Sequence, residues 1–281
     1  MPVTIGDILT SHRTGRAIVV GVLNVTPDSF SDGGRFLDPA AAGRQTRRML
    51  DEGADVIDVG AESTRPGSDR VSPAEQIGRL REIVPAAIET GALVSIDTTS
   101  AEVADFALGA GAAIINDVSA GRDDPEILAV AADRDVPVVL MHMLGQPKTM
   151  QAEPHYDDVV AEVREFLAAR IEAAVAAGVS EENVIVDPGI GFGKLLEHNL
   201  ALIAGVGALA RLGRPVLVGP SRKRFIGELT GIATPADRVS GTIAACLAAR
   251  RRGATIFRVH DVAPLAEAIA VFDAVNDAPA P

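Results

Sequence analysis

The chain has 281 residues, is 47% hydrophobic and 23% charged, and carries a formal net charge of −12. That length suits one large α/β domain or two smaller ones, and so acidic a balance argues against nucleic acid or an anionic membrane surface as partners. The single cysteine, Cys246, rules out an internal disulfide, the N-terminal stretch MPVTIGDILTSHRTGR lacks the apolar core of a signal peptide, and no window approaches the ~18 apolar residues of a membrane span, so a cytoplasmic location is expected.

Short Val/Ile/Leu-rich runs recur along the chain: AIVVGVLNVT (17–26), DVIDVGAEST (55–64), LVSIDTT (93–99), AIINDVS (113–119), PVVLMHM (137–143), VIVDPGI (184–190), PVLVGPS (215–221) and IFRVHDV (256–262). Runs this apolar, without alternation, read as strands buried on both faces. Between them lie Ala-, Glu- and Arg-rich stretches with helical spacing, such as 39–54 and 156–178. Pro39, Pro73, Pro125 and Pro235 sit where helices should begin, and Gly53, Gly91, Gly111, Gly178, Gly213 and Gly253 where they should end. Eight strand–helix units with no linker predict a single-domain (β/α)8 TIM barrel over 17–276, with an open doubly wound sheet as the alternative. Residues 1–16 are then an N-terminal extension and 277–281 a flexible tail.

Each run turns polar at its C-terminal end: Asn24, Glu62–Thr64, Asp97, Asn116–Asp117, His142, Asp187, Ser221, and Arg258 with His260. In a parallel barrel these ends share one face, where active sites lie. Asp58, between apolar neighbours in VIDVG, is read instead as a satisfied structural carboxylate. Arg258 and His260, two apart, predict an anion clamp on one side of the last strand, with Lys223 on the same rim. Asp97, Asn116 and Asp187 offer acceptors and an amide suited to a flat heterocycle rich in N–H donors. The residues thus point to a site for an aminated heterocycle at one end and an anion, such as a phosphate ester, at the other. GIGFGK (189–194) lacks the spacing of a P-loop, GPSRK (219–223) lacks the closing Gly of a nucleophile elbow, and no CxxC or HExxH supports zinc.

The segments GVLNVTPDSFSDGG (21–34), VGAESTRPG (59–67), SIDT (95–98), NDVS (116–119), DPGIGFGK (187–194), GPSRKRFIG (219–227) and RVHDV (258–262) resemble, in order, those of the dihydropteroate synthase family. That family condenses 6-hydroxymethyl-7,8-dihydropterin pyrophosphate with p-aminobenzoate. The resemblance implies that Asp187 and Asn116 read the amino-pyrimidine edge, with Asp97 near N8 and Lys223 near N5 and the carbonyl. It implies a pyrophosphate site at Arg258, His260 and Asn24, with Asn24 also touching Mg2+. Thr64, Arg65 and Pro66 resemble a mobile second loop, and Phe30 and Asp32 lie in the first. Phe30, Pro66, Phe192 and Ser221 are implied around p-aminobenzoate, and Met141 and Gly219 among the other substrate-binding positions. The catalytic residues so implied are Asp97, Lys223, Arg258, His260 and Asp32, in a homodimer formed through the last helices. Ala61 and Pro220 depart from the family pattern next to the second loop and the p-aminobenzoate slot. Two alternatives share parts of the pattern: a pterin-binding methyltransferase acting on methyltetrahydrofolate, and a non-catalytic pterin-binding paralogue.

Overall fold

A computed structural model of the protein describes residues 3–25, 38–63, 67–145 and 148–278. Each of the eight apolar runs contains a strand: β1 Ile18–Asn24, β2 Val56–Gly60, β3 Val94–Asp97, β4 Ile114–Asp117, β5 Val138–Met141, β6 Val184–Asp187, β7 Leu217–Val218 and β8 Ile256–Val259. All pair in parallel, in the order β6-β5-β4-β3-β2-β1-β8-β7. A parallel bridge between Val186 and Val216 joins the two edges. The sheet therefore curls into a nearly closed barrel, and the open-sheet alternative falls.

The sequence punctuation works as expected. Pro39 and Pro73 open the helices Pro39–Asp51 and Pro73–Leu80, where the missing N–H costs nothing. The six glycines expected at helix ends all adopt positive φ. Pro235 opens a short 3-10 turn, Pro235–Asp237, rather than an α-helix.

Along each strand side chains alternate between two buried faces. Val19, Ile57, Val59, Ile96, Ile115, Leu140, Val186, Val218, Phe257 and Val259 pack outward with the helices. Ile18, Val20, Val56, Ile114, Val139, Ile185, Leu217 and Ile256 form a separate cluster inside the barrel. Each such side chain contributes about 1.5–3 kcal/mol on burial. The first residues also fold onto this inner cluster: Thr4 caps a helix, Ile5–Thr14, through the amide of Asp7, and Ile8 is buried among the inner residues. The expected extension is thus a plug on the N-terminal end of the barrel. The helix Val262–Asp277 carries order through the first residue of the expected tail.

Candidate active site

The inner face of the barrel changes character along its axis. Below, it is aliphatic; above, the inward positions two residues further on are Asp58, Ser95, Asn116, Asp187 and Arg258, with Asp97 higher still on β3. Strand register aligns the upper rim: Asn24 pairs with Gly60, Gly60 with Asp97, and Asp97 with Asn116. Gly60 leaves the room that Asp97 occupies, since a Cβ there would lie 3.3 Å from the Asp97 Cβ.

Arg258 is the electrostatic centre. Its Nε donates to Asp58 Oδ2 at 2.6 Å and a terminal nitrogen to Asp97 Oδ2 at 2.8 Å. Burial disfavours the guanidinium charge, but these two carboxylates outweigh it and hold the pKa above its usual value. Burial pushes Asp97 up to about 7 against the opposing pull of Arg258. Burial also raises Asp187 to about 6, opposed by a 2.6 Å hydrogen bond from the Gly189 amide and by Lys194, Lys223 and Arg258. Asn116 donates its Nδ2 to Asp58 Oδ2 at 3.0 Å.

An apolar wall stands beside Asp187. Met141, its register partner on β5, clusters with Val118, Met143, Met150 and Phe192. The Lys223 ammonium lies 4.0 Å from the centre of the Phe192 ring, a cation–π contact. Gly191, at φ 81°, makes this approach possible, because a Cβ there would meet Lys223 Cδ at 2.9 Å. Gly219 borders Arg258 at ordinary contact distance.

The expected Arg258–His260 clamp is arranged differently. Arg258 points to the acids inside the barrel, whereas His260, one residue past β8, pairs with Ser221 at the rim. Ser221 Oγ lies 3.0 Å from His260 Nδ1 and accepts the His260 backbone N–H at 3.1 Å. Burial, with Arg258 and Arg222 nearby, lowers His260 to about 3. The imidazole is therefore neutral and carries one ring N–H. Arg222, with φ 60°, fixes both loops by a two-pronged pair to Asp261 at 2.9 and 2.6 Å.

Three strand-end residues expected at the mouth are committed to partners in the surrounding loops and helices. His142 turns its ring to Phe166 in the helix Val159–Ala176, 4.8 Å between centroids. Its Nδ1 lies 3.0 Å from Lys194 Nζ, and burial together with that cation lowers it to about 3. Asp117 accepts the amides of Ser119 and Gly121 and shapes the loop after β4. Glu62 accepts from the Val71 amide and the Gln76 side chain at the foot of Pro73–Leu80. Of the two positions that depart from the family pattern, Ala61 is buried with its carbonyl held by Arg79 at 2.7 Å, and Pro220 accepts the Lys223 amide. Phe30, Asp32, Thr64, Arg65 and Pro66 lie outside the described residues.

Sequence reasoning missed two groups. Asp58 belongs to the site network, and Lys194 of GIGFGK is a buried brace that donates to the Phe192 carbonyl at 2.9 Å. Burial lowers this lysine to about 7. Asp58 stands two residues before Gly60 on the strand, a period-two signal; its meaning needs Arg258 brought in from β8 on the far side of β1, which no local pattern carries.

Barrel and site together define an α/β enzyme of the kind that holds a polar heterocycle at the strand ends. The model of the family described as pterin binding enzyme matches residues 20–260. A dihydropteroate synthase of Synechocystis sp. is 48% identical over 275 residues, covering 98% of this chain and 95% of its own. A structure of Xanthomonas albilineans dihydropteroate synthase with 4-aminobenzoic acid matches at TM-score 0.88 and 48% identity, covering 94% of each chain. Another of that enzyme, in complex with 7,8-dihydropteroate, matches at TM-score 0.85 and 46% identity, covering 94% of this chain and 95% of its own. The chain belongs to the pterin binding enzymes and, among them, to the dihydropteroate synthase family.

Proposed function

We propose that this protein is a dihydropteroate synthase, joining 6-hydroxymethyl-7,8-dihydropterin pyrophosphate to p-aminobenzoate with release of pyrophosphate. The observation that carries this reading is the set of buried acceptors around Arg258, set in a chain nearly half identical to such synthases along its whole length. With Asp187 Oδ1 given to Gly189, Asp187 keeps one carboxylate oxygen for the N–H donors of an amino-pyrimidine. Asn116 keeps its Oδ1 and one N–H. Met141 supplies an apolar face for the flat pterin ring, and Phe192, in the same cluster, one for p-aminobenzoate.

In the reaction the C–O bond of the pterin methylene breaks, the aryl amine forms the C–N bond, and the amine gives up a proton. If the C–O bond breaks before the C–N bond forms, positive charge develops on the pterin methylene. A carboxylate such as Asp97, ~4 Å away in an effective dielectric near ~20, contributes about 4 kcal/mol. That is roughly a thousandfold in rate where the contact strengthens only in the transition state. Arg258, Lys223 and His260 suit the leaving pyrophosphate. No protein nucleophile is required.

Mg2+ fits this arrangement as a companion of the pyrophosphate. Among the described residues no group of three or more His, Cys, Asp or Glu could enclose a metal, and Mg2+ characteristically takes few protein ligands together with phosphate oxygens. Asn24 at the end of β1 would supply one neutral oxygen. The bound ion would supply positive charge to the departing pyrophosphate.

A homodimer through the last helix is supported by Val271 and Val275, one turn apart on Val262–Asp277 and 66% and 68% exposed. A cytoplasmic location is supported by the unpaired, buried Cys246; no helix among the described residues is long and apolar enough to cross a membrane.

The test is direct. Protein mixed with dihydropterin pyrophosphate, p-aminobenzoate and Mg2+ should yield pyrophosphate and dihydropteroate in equal amounts. Folded protein that binds the pterin yet forms no product would favour the non-catalytic paralogue. Methyl transfer from methyltetrahydrofolate would favour the methyltransferase.

A further inference from the structure

Asp58 is 1% exposed, on the inner face of β2, in a layer below the rim. One of its oxygens, Oδ2, accepts from two groups on two other strands: Arg258 Nε at 2.6 Å and Asn116 Nδ2 at 3.0 Å. Its other oxygen, Oδ1, is buried without a hydrogen-bond partner, and the residue borders a small cavity lined by Ser95 and the aliphatic floor of the barrel. A carboxylate kept only for stability would satisfy both oxygens or be replaced by an apolar side chain. This one leaves an oxygen unsatisfied and concentrates its bonding on two residues of the site.

The consequence for each partner is specific. A guanidinium has five N–H donors in a fixed plane. Holding Nε on Asp58 and a terminal nitrogen on Asp97 fixes that plane, so the remaining donors have one direction. An amide can present either end to a ligand. With Nδ2 committed to Asp58, the Asn116 amide cannot flip without placing its oxygen against a carboxylate. Asn116 is thereby locked to offer one donor and one acceptor side by side, the pattern of a pyrimidine edge.

We propose that Asp58 is a positioning residue for the pterin substrate: a preformed hub that sets the Arg258 guanidinium plane and the Asn116 amide orientation before ligand arrives. This deepens the reading of the site given above and rests on it.

The test is a double-mutant cycle read by calorimetric binding of dihydropterin pyrophosphate to the full chain. Asp58→Asn keeps the volume but removes the anionic acceptor. It should weaken binding about tenfold to a hundredfold, the range for hydrogen bonds to charged groups. In the Asn116→Ala background the same substitution should cost clearly less, because one of the two groups it orients is gone. Equal loss in both backgrounds, or unchanged affinity of folded Asp58→Asn, overturns the proposal. Absence of pterin binding by the unaltered protein overturns the functional reading and the proposal with it.

Should Asp58→Asn fail to fold, the unaltered protein still decides. The Arg258 Nε–H, assigned by its disappearance in Arg258→Lys, should appear in NMR spectra of ligand-free protein as a downfield, exchange-protected signal. It should hardly move when pterin binds. A signal that exchanges freely, or forms only with ligand, means that the hub is not preformed and overturns the proposal.

Discussion

A terminal guanidinium nitrogen of Arg258 donates to Asp97 Oδ2 at 2.8 Å, joining residues 161 positions apart in the chain. The bond crosses the barrel interior and holds a cation between two acids. Removing the cation leaves both carboxylates uncompensated in a buried site. Arg258→Ala should therefore cost about 3 kcal/mol of stability, beyond any effect on turnover. Urea unfolding measures it; a loss below ~1 kcal/mol would mean that solvent already screens the pair.

Ligand affinity should depend on pH with a definite sign. Asp187 and Asp97, raised by burial to about 6 and about 7, accept ligand N–H groups most strongly when ionised. Affinity for a neutral pterin should rise from pH 5 to pH 8 through those two values, and Asp187→Asn should remove the lower step. His260, lowered to about 3, should contribute no step in this range. A flat titration by calorimetry would contradict the assignment.

The same two acids act oppositely on stability. Their folded pKa values lie above those of the unfolded chain, so the folded state binds more protons between about pH 4 and pH 7. Their contribution to stability is full below the unfolded values and is lost as pH rises through 6 to 7. Asp187→Asn should flatten this fall in unfolding midpoints measured across pH 4 to 8.

Lys194 is 3% exposed and braces the loop that carries Phe192. Lys194→Met retains the stem but strips hydrogen bonds from the Phe192 carbonyl and the His142 ring. A loss of about 1–3 kcal/mol is expected. Because Phe192 faces the Lys223 ammonium, KM for p-aminobenzoate should change more than pterin affinity. Equal change in both would place the effect in general loosening of the barrel.

Two glycines with similar backbones should respond differently to alanine. Gly189 has φ 67°, and a Cβ there would sit 1.9 Å from the His142 carbonyl oxygen. Gly213 has φ 73° with nothing within 4 Å. Gly213→Ala should cost only the left-handed backbone penalty, about 1–2 kcal/mol. Gly189→Ala must also displace backbone and should cost clearly more, with loss of pterin binding because Gly189 supplies an amide to Asp187. Comparable melting temperatures for the two variants would refute the steric reading.

The sequence by itself determined the eight strands, the helix ends and the end of the barrel that carries the chemistry. Apolar runs, helix-opening prolines and terminal glycines act locally, so Asp97, Asn116, Asp187 and Lys223 were legible as candidate site residues from position alone. Which strand-end side chain turns inward was not legible. When both faces of a strand are buried, both are apolar, and the alternation that would reveal orientation is erased. Only the tertiary register sent Asp58 inward onto Arg258, 200 residues away, and His142 outward to Lys194 and Phe166. The same register divided Arg258 from His260, giving one to the buried acids and the other to Ser221. A buried charge settles where other strands supply its partner, and that pairing is a property of the closed barrel.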